Sequence, residues 1–137
     1  MLTRYINIKT KGNCDIKDIT PALKRITEQE NLNDAILFVS VIGSTAALTT
    51  MEYESGLIKD LKNTFDKVLP YRKDYSHNYT WSDDNGHSHL RSSFIKTSLF
   101  ISVTGSKLDL GTWQQVVLLD FDTASRDRTV VIKVLQQ

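Results

Sequence analysis

The sequence predicts an α+β fold, a mainly antiparallel sheet assembly with two or three helices packed against it. Strand-like segments outnumber helical ones, several look hairpin-connected, and only two stretches carry apolar residues at helical spacing. Residues 2–9 alternate, with Leu2, Arg4, Ile6 and Ile8 against Thr3, Tyr5, Asn7 and Lys9, and period two predicts a strand. Lys11-Gly12-Asn13 is a turn. Thr20-Pro21 reads as N-cap and first helical position, since proline needs no N–H there, and Leu23 and Ile26 form a short apolar stripe that ends over 31–34. Residues 36–42, nearly all apolar and β-branched or aromatic, form a central strand broken by Gly43-Ser44. A shorter strand follows over 45–51. Leu57, Ile58, Leu61, Phe65, Val68 and Leu69 share one face of a helix over 55–69, which Pro70 stops. Residues 71–86 have no apolar period; connections this long are usually functional or disordered, and Tyr71, Tyr75, Tyr79 and Trp81 argue for an ordered one. Strands over 99–103, 116–120 and 129–135 follow, with turns at Gly105, Gly111 and 122–128.

The chain of 137 residues suits one domain over 1–137, long enough to bury a core without disulfides. Seventeen Lys and Arg against 16 Asp and Glu leave a net charge of +1, so nothing draws the protein to nucleic acid or anionic lipid. The single Cys14 can form neither an internal disulfide nor a CxxC motif; it reads as a half-buried small residue, in keeping with a reducing cytoplasm. The first residues lack the pattern of a signal peptide, and no stretch approaches the ~20 apolar residues of a membrane helix.

All three histidines, His77, His87 and His89, fall within thirteen positions. Imidazole is both the commonest zinc ligand and the usual acid–base group near neutral pH. On an extended backbone His87 and His89 project to one face and can chelate one ion. On a helix starting near His87, two residues apart means about 200° around the axis, and they cannot. Both geometries stay open at this level. Asp83-Asp84 either binds a cation or caps the turn before His87, and Arg91 either grips a phosphate or makes a structural ion pair. Gly43 to Thr50 is rich in small and hydroxyl residues and matches no Walker or dinucleotide pattern; Ser44 and Thr45 are its candidate anion contacts, with Glu52 as a candidate acid–base group. Thr112, Trp113 and Gln114 offer a large indole between polar tips and either pack at the start of a strand or line a pocket. Arg126-Asp127-Arg128 is placed in a hairpin turn.

Taken together, these segments resemble the YjbQ-like family. The matching stretches are Ser44 to Thr50 with Glu52, Asp60 and Pro70; Tyr75 with His77; Asp83-Asp84 leading to His87-Ser88-His89-Leu90-Arg91; Ser98 and Gly105; Leu110 to Gln115; and Arg126 with Arg128. The likeness runs over almost the whole chain. It implies an α+β sandwich of mostly antiparallel strands, a homotrimer, and weak thiamine-phosphate synthase activity, in which a pyrimidine pyrophosphate and a thiazole phosphate join with loss of pyrophosphate. The residues that carry over by position are Glu52, His77 and His89. Many members have a His where this chain has Gly43, so a three-histidine metal site of His77, His87 and His89 depends on His87 taking its place in space.

The resulting expectation is an enzyme on a small phosphorylated heterocycle, with Glu52, His77, His89 and Arg91 as catalytic residues and Ser44, Thr45, Thr112, Trp113 and Gln114 as substrate contacts. A divalent metal is its cofactor: zinc, or magnesium if pyrophosphate leaves. The alternative is a trimer that binds a small ligand or metal without turnover. Neither nucleic acid nor membrane is an expected partner.

Overall fold

A computed structural model describes residues 1–136. In chain order it forms β1 (Leu2–Thr10), β2 (Asp15–Asp18), α1 (Thr20–Gln29), β3 (Asp34–Val41), β4 (Ala46–Met51), α2 (Ser55–Val68), α3 (Ser76–Trp81), α4 (Gly86–Ile95), β5 (Ser98–Thr104), β6 (Lys107–Leu108), β7 (Gln115–Asp120) and β8 (Arg126–Leu135). The pairing is antiparallel, in a five-stranded sheet of order β1-β8-β3-β5-β6 and a three-stranded sheet of order β2-β7-β4. This is the α+β, mostly antiparallel fold that the sequence predicts.

The details differ in instructive ways. Of the ladders, only β5–β6 joins consecutive strands, turning at Gly105 and Ser106, both at positive φ. The other pairs are long-range, because helices and loops intervene between partners that look like hairpins in sequence. Four helices stand among the described residues, against the two or three expected. One of the extra helices, α3, has six residues, too few to display a period. The other, α4, buries Gly86, His87, Ser88, Arg91 and Ser92, a polar face that apolar periodicity cannot reveal. The N-cap of α1 is Ile19, one residue before Thr20, whose N–H is instead taken by Asp18 Oδ1 at 2.9 Å. Arg126-Asp127-Arg128 lies in β8 rather than in a turn, since Thr10, Lys9 and Ile8 of β1 pair with it.

Alternation decides which face of each strand is buried. Leu37, Val39 and Val41 of β3, Ile101 and Val103 of β5, and Val130, Ile132 and Val134 of β8 turn one face of the large sheet inward. They meet Leu48 of β4, Val116 and Leu118 of β7, and Leu23 and Ile26 of α1. The opposite face of the small sheet, with Val117 and Leu119, is covered by Phe65 of α2 and by Phe121, whose rings meet edge to face at 5.0 Å. The small sheet is therefore buried on both sides, which explains the unbroken apolar run of β7. Cys14 belongs to this second cluster and is 4% exposed, more deeply buried than the sequence suggests.

Burial in these surroundings pushes the Cys14 thiol up to about 11 from its ordinary 9.0, against the pull of Arg91 and Lys62. The unfolded thiol therefore loses its proton first as pH rises. The contribution of this group to stability is complete below about pH 9 and declines toward pH 11. We expect Cys14 to resist a thiol reagent such as Ellman's at pH 8 in the native protein and to react at once on unfolding. Rapid native labelling would contradict its placement in the core.

Candidate functional site

The polar site is built where α3, the 82–85 loop and α4 meet. Ser82 and Asp84 take positive φ in this loop, turning the chain sharply enough to lay α4 beside α3. Asn78 ties the two helices, its Oδ1 accepting from Gly86 N at 2.8 Å and its Nδ2 donating to the Arg72 carbonyl at 3.0 Å. A Cβ on Gly86 would stand 2.6 Å from Cβ of Tyr75, so close helix approach needs glycine there. The position of α4 is fixed by hydroxyls: Ser88 Oγ donates to the Phe121 carbonyl and Ser92 Oγ to the Ala46 carbonyl at 2.6 Å.

This arrangement brings His77 of α3 and His89 of α4 together, with ring centroids 4.3 Å apart. Asp83 joins them, its Oδ2 lying 3.2 Å from His77 Nε2. One ligand atom from each of His77, Asp83 and His89 lies within 4.8 Å of the others. The His77–Asp83 spacing is close to the ~3.3 Å that separates ligands on a tetrahedral zinc with bonds of about 2.0–2.1 Å. Two half-exposed imidazoles and a carboxylate are the donor types that zinc and similar ions take, so the group fits a divalent metal. The Asn85 N–H donates to Asp83, and with His77 beside it holds this carboxyl below the usual range, ionised and ready to ligate.

Two clefts meet at His89. One, of about 310 Å³, is lined by Tyr75, Ser76, His77, Gly86, His89, Leu90 and Ser93. The other, of about 370 Å³, runs past Gly43, Ser44, Ser92, Lys96, Thr97 and Ser98. His89 and Ser93 form the wall that both share.

The UPF0047 protein YjbQ-like family model matches residues 4–137. The chain belongs to the YjbQ-like family. A UPF0047 protein of Archaeoglobus fulgidus is 35% identical over 130 residues, covering 95% of this chain and 98% of its own. One from Methanothermobacter thermautotrophicus is 30% identical over 132 residues, 96% of this chain and 90% of its own. Among solved structures, a hypothetical protein of Aeropyrum pernix K1 superposes with a TM-score of 0.92 at 29% identity, with both chains fully covered. A YjbQ/UPF0047 protein of Clostridium acetobutylicum gives 0.87 at 29% identity over 96% of this chain and 99% of that one.

Several residues that the YjbQ-like resemblance and the sequence put into one site are placed elsewhere. His87 does not join His77 and His89. The chain is helical here, so His87 points about 200° away from His89 and into the protein, 2% exposed. Its ring meets Tyr71 edge-on at 5.0 Å, and its Nδ1 has no hydrogen-bond partner among the described residues. Burial, and then the Arg91 guanidinium, lower its pKa, against the Asp84 backbone and the Asp122 and Asp66 carboxylates, and favour a neutral ring. His87 thus does not stand in for the histidine replaced by Gly43. Arg91 is also turned inward, 2% exposed, donating from Nε to the Leu69 carbonyl at 2.9 Å and from Nη2 to Asp66 at 3.1 Å. It locks α4 to α2 and is not a catalytic group of the histidine cleft.

Ser44 does line that cleft beside His89. Thr45 is buried, and its hydroxyl is used up, donating to Asp122 Oδ2 at 2.8 Å and accepting from Arg128 Nη2 at 2.6 Å. Glu52, Thr112 and Trp113 line a separate pocket of about 290 Å³ with Asp18 and Tyr53. Gln114 is nearby, bonded to Gly111 N and Thr50 Oγ1. β4 runs between the two places: the eight steps from Ser44 to Glu52, mostly extended, span roughly 26 Å. Within one chain Glu52 therefore does not reach a group held by the histidines. Ser93 and Lys96 go unnoticed in the sequence as cleft residues; nothing in their spacing marks them, because α4 and the start of β5 are brought to Ser44 only by packing.

Proposed function

We propose that this protein is a metal-assisted enzyme acting on a small phosphorylated heterocycle, with weak thiamine-phosphate synthase activity. The observation that carries the reading is the His77–Asp83–His89 group, whose His89 stands where two clefts meet, one flanked by hydroxyls. A divalent ion, zinc or else magnesium, would supply Lewis-acid polarisation of phosphate oxygens and charge for a departing pyrophosphate. His77, Asp83 and His89 would hold it, the 3.2 Å between His77 Nε2 and Asp83 Oδ2 being the spacing of two ligands on one ion. Ser44 would donate to phosphate oxygens, and Tyr75 and Leu90 would give the heterocycle an apolar wall and exclude water from it. In the condensation the thiazole nitrogen forms the new C–N bond as the C–O bond to pyrophosphate breaks, the electron pair leaving with pyrophosphate.

The reading includes a homotrimer. The outer face of the five-stranded sheet carries Tyr5, Ile36 and Phe100, 63%, 45% and 67% exposed, with Phe38 against Phe100 at 5.1 Å, an apolar area that subunit contact would cover. Among the described residues no helix is long and apolar enough to cross a membrane. A cytoplasmic location and no nucleic-acid partner complete the proposal, consistent with one free cysteine and a net charge of +1.

Incubating the purified protein with a pyrimidine pyrophosphate, a thiazole phosphate and zinc or magnesium is expected to yield thiamine phosphate, detectable by chromatography. His77→Ala and His89→Ala are expected to reduce the rate about 100-fold or more. Unchanged turnover in both variants would remove the mechanism. The distance of Glu52 from the histidines favours a second reading, ligand or metal binding without turnover. A metal- or ligand-induced rise in Tm with no product would select it.

A further inference from the structure

We infer that the cleft beside His89 contains a phosphate-binding pocket whose lining cation is Lys96, with Nη1 of the buried Arg128 behind the bare Cα of Gly43. It deepens the proposal above and rests on it for the class of substrate. Arg128 is 7% exposed, and its guanidinium is committed on two of its three nitrogens. Nε donates to Asp120 Oδ2 at 2.7 Å, and Nη2 to Asp120 Oδ1 at 2.8 Å and Thr45 Oγ1 at 2.6 Å. Nη1 has no acceptor among the described residues. It stands 2.7 Å from the point that a Cβ on residue 43 would occupy. Gly43 has φ +134°, a conformation that side-chain-bearing residues rarely adopt, and it lines the cleft. A side chain there would lie against Nη1; glycine leaves that side of the guanidinium uncovered, at a residue that lines the cleft.

The surroundings suit a tetrahedral oxyanion. Lys96, Ser44, Ser93, Thr97 and Ser98 line the same cleft, so an ammonium and several hydroxyls face the approach to Nη1. No carboxylate lines it. Asp120 and Asp122 are matched by Arg128 and Arg126, which leaves Lys96 as the uncompensated charge. A guanidinium nitrogen held rigid by two carboxylate bonds loses little freedom when an anion arrives, which makes the contact stronger than one from a mobile surface arginine. His89, on the shared wall, then places a phosphate here beside the His77–Asp83–His89 group.

The test is calorimetric titration with inorganic phosphate of the full chain, stripped of metal and kept in a chelator. Wild type is expected to bind. Lys96→Gly removes the ammonium while relaxing a backbone at φ +79°, so it folds at least as well, and we expect its phosphate affinity to fall about tenfold or more. Gly43→Ala, which covers Nη1, should lose as much; if strain unfolds it, Lys96→Gly and Ser44→Ala still decide. His77→Ala should bind phosphate as wild type does, because His77 does not line this cleft. Phosphate binding that appears only when metal is restored would overturn the inference while leaving the metal proposal standing. Equal affinity in wild type and Lys96→Gly would overturn it too. Loss of metal binding with phosphate binding intact would do the reverse.

Discussion

Arg128→Ala is expected to lower the unfolding free energy by about 3–5 kcal/mol, the range for removing one partner of a buried ion pair. Asp120, 0% exposed, takes two hydrogen bonds from this guanidinium and one from Thr10 Oγ1. Without Arg128 it becomes a buried carboxylate left with hydroxyl and amide donors. Thr45 loses its link to β8 at the same time. The cluster also includes Asp122. Burial raises the pKa of Asp122, but the Ala124 N–H, the Thr45 hydroxyl and Arg126 outweigh it and hold the carboxyl below its usual range. The double variant Asp120→Ala/Arg128→Ala should recover part of the loss, since it leaves no unpaired charge. Urea unfolding of the wild type and these two variants measures this. A loss under about 1 kcal/mol in Arg128→Ala would mean that the cluster is hydrated rather than closed.

The second large effect concerns metal. His77→Ala and His89→Ala are each expected to weaken zinc binding about 100-fold or more, and His87→Gln to leave it within about threefold. The contrast follows from geometry: the rings of His77 and His89 are 4.3 Å apart beside Asp83, whereas His87 packs under Tyr71. Zinc titration against a competing chelator at pH 7.5 reads the three affinities directly. Equal losses in all three variants would show that His87 turns outward when metal binds. Asp83→Asn should behave like the two alanine variants, because an amide oxygen is a poorer zinc ligand than a carboxylate that Asn85 and His77 keep ionised.

Much of the fold was legible because apolar alternation is a local property. The strand over 36–42 and the run at 116–120 come out within a residue or two of β3 and β7. The helix over 55–69 matches α2, whose N-cap is Glu54, accepting from Gly56 N at 2.8 Å. What escaped were elements that bury polar groups. The inward face of α4 is His87, Ser88, Arg91 and Ser92, and it is stable because those groups find the Phe121 and Ala46 carbonyls, Leu69 and Asp66. Each of these partners is distant in sequence. β2 and the inward-facing Arg128 were hidden for the same reason, as the charges of each read as turn or surface until the strand beside them is known.

Taken alone, the sequence determined the α+β class, the family, and the stretch of chain in which the histidines cluster. Only the tertiary structure decided which of them meet. An extended backbone rotates successive side chains by 180° and a helix by about 100°, so the same His-Ser-His spelling either joins or separates its two rings. The hydroxyl bonds that dock the helix over 86–95 reach Ala46 of β4 and Phe121, and this docking turns His87 into the core and leaves His89 beside Asp83 and His77.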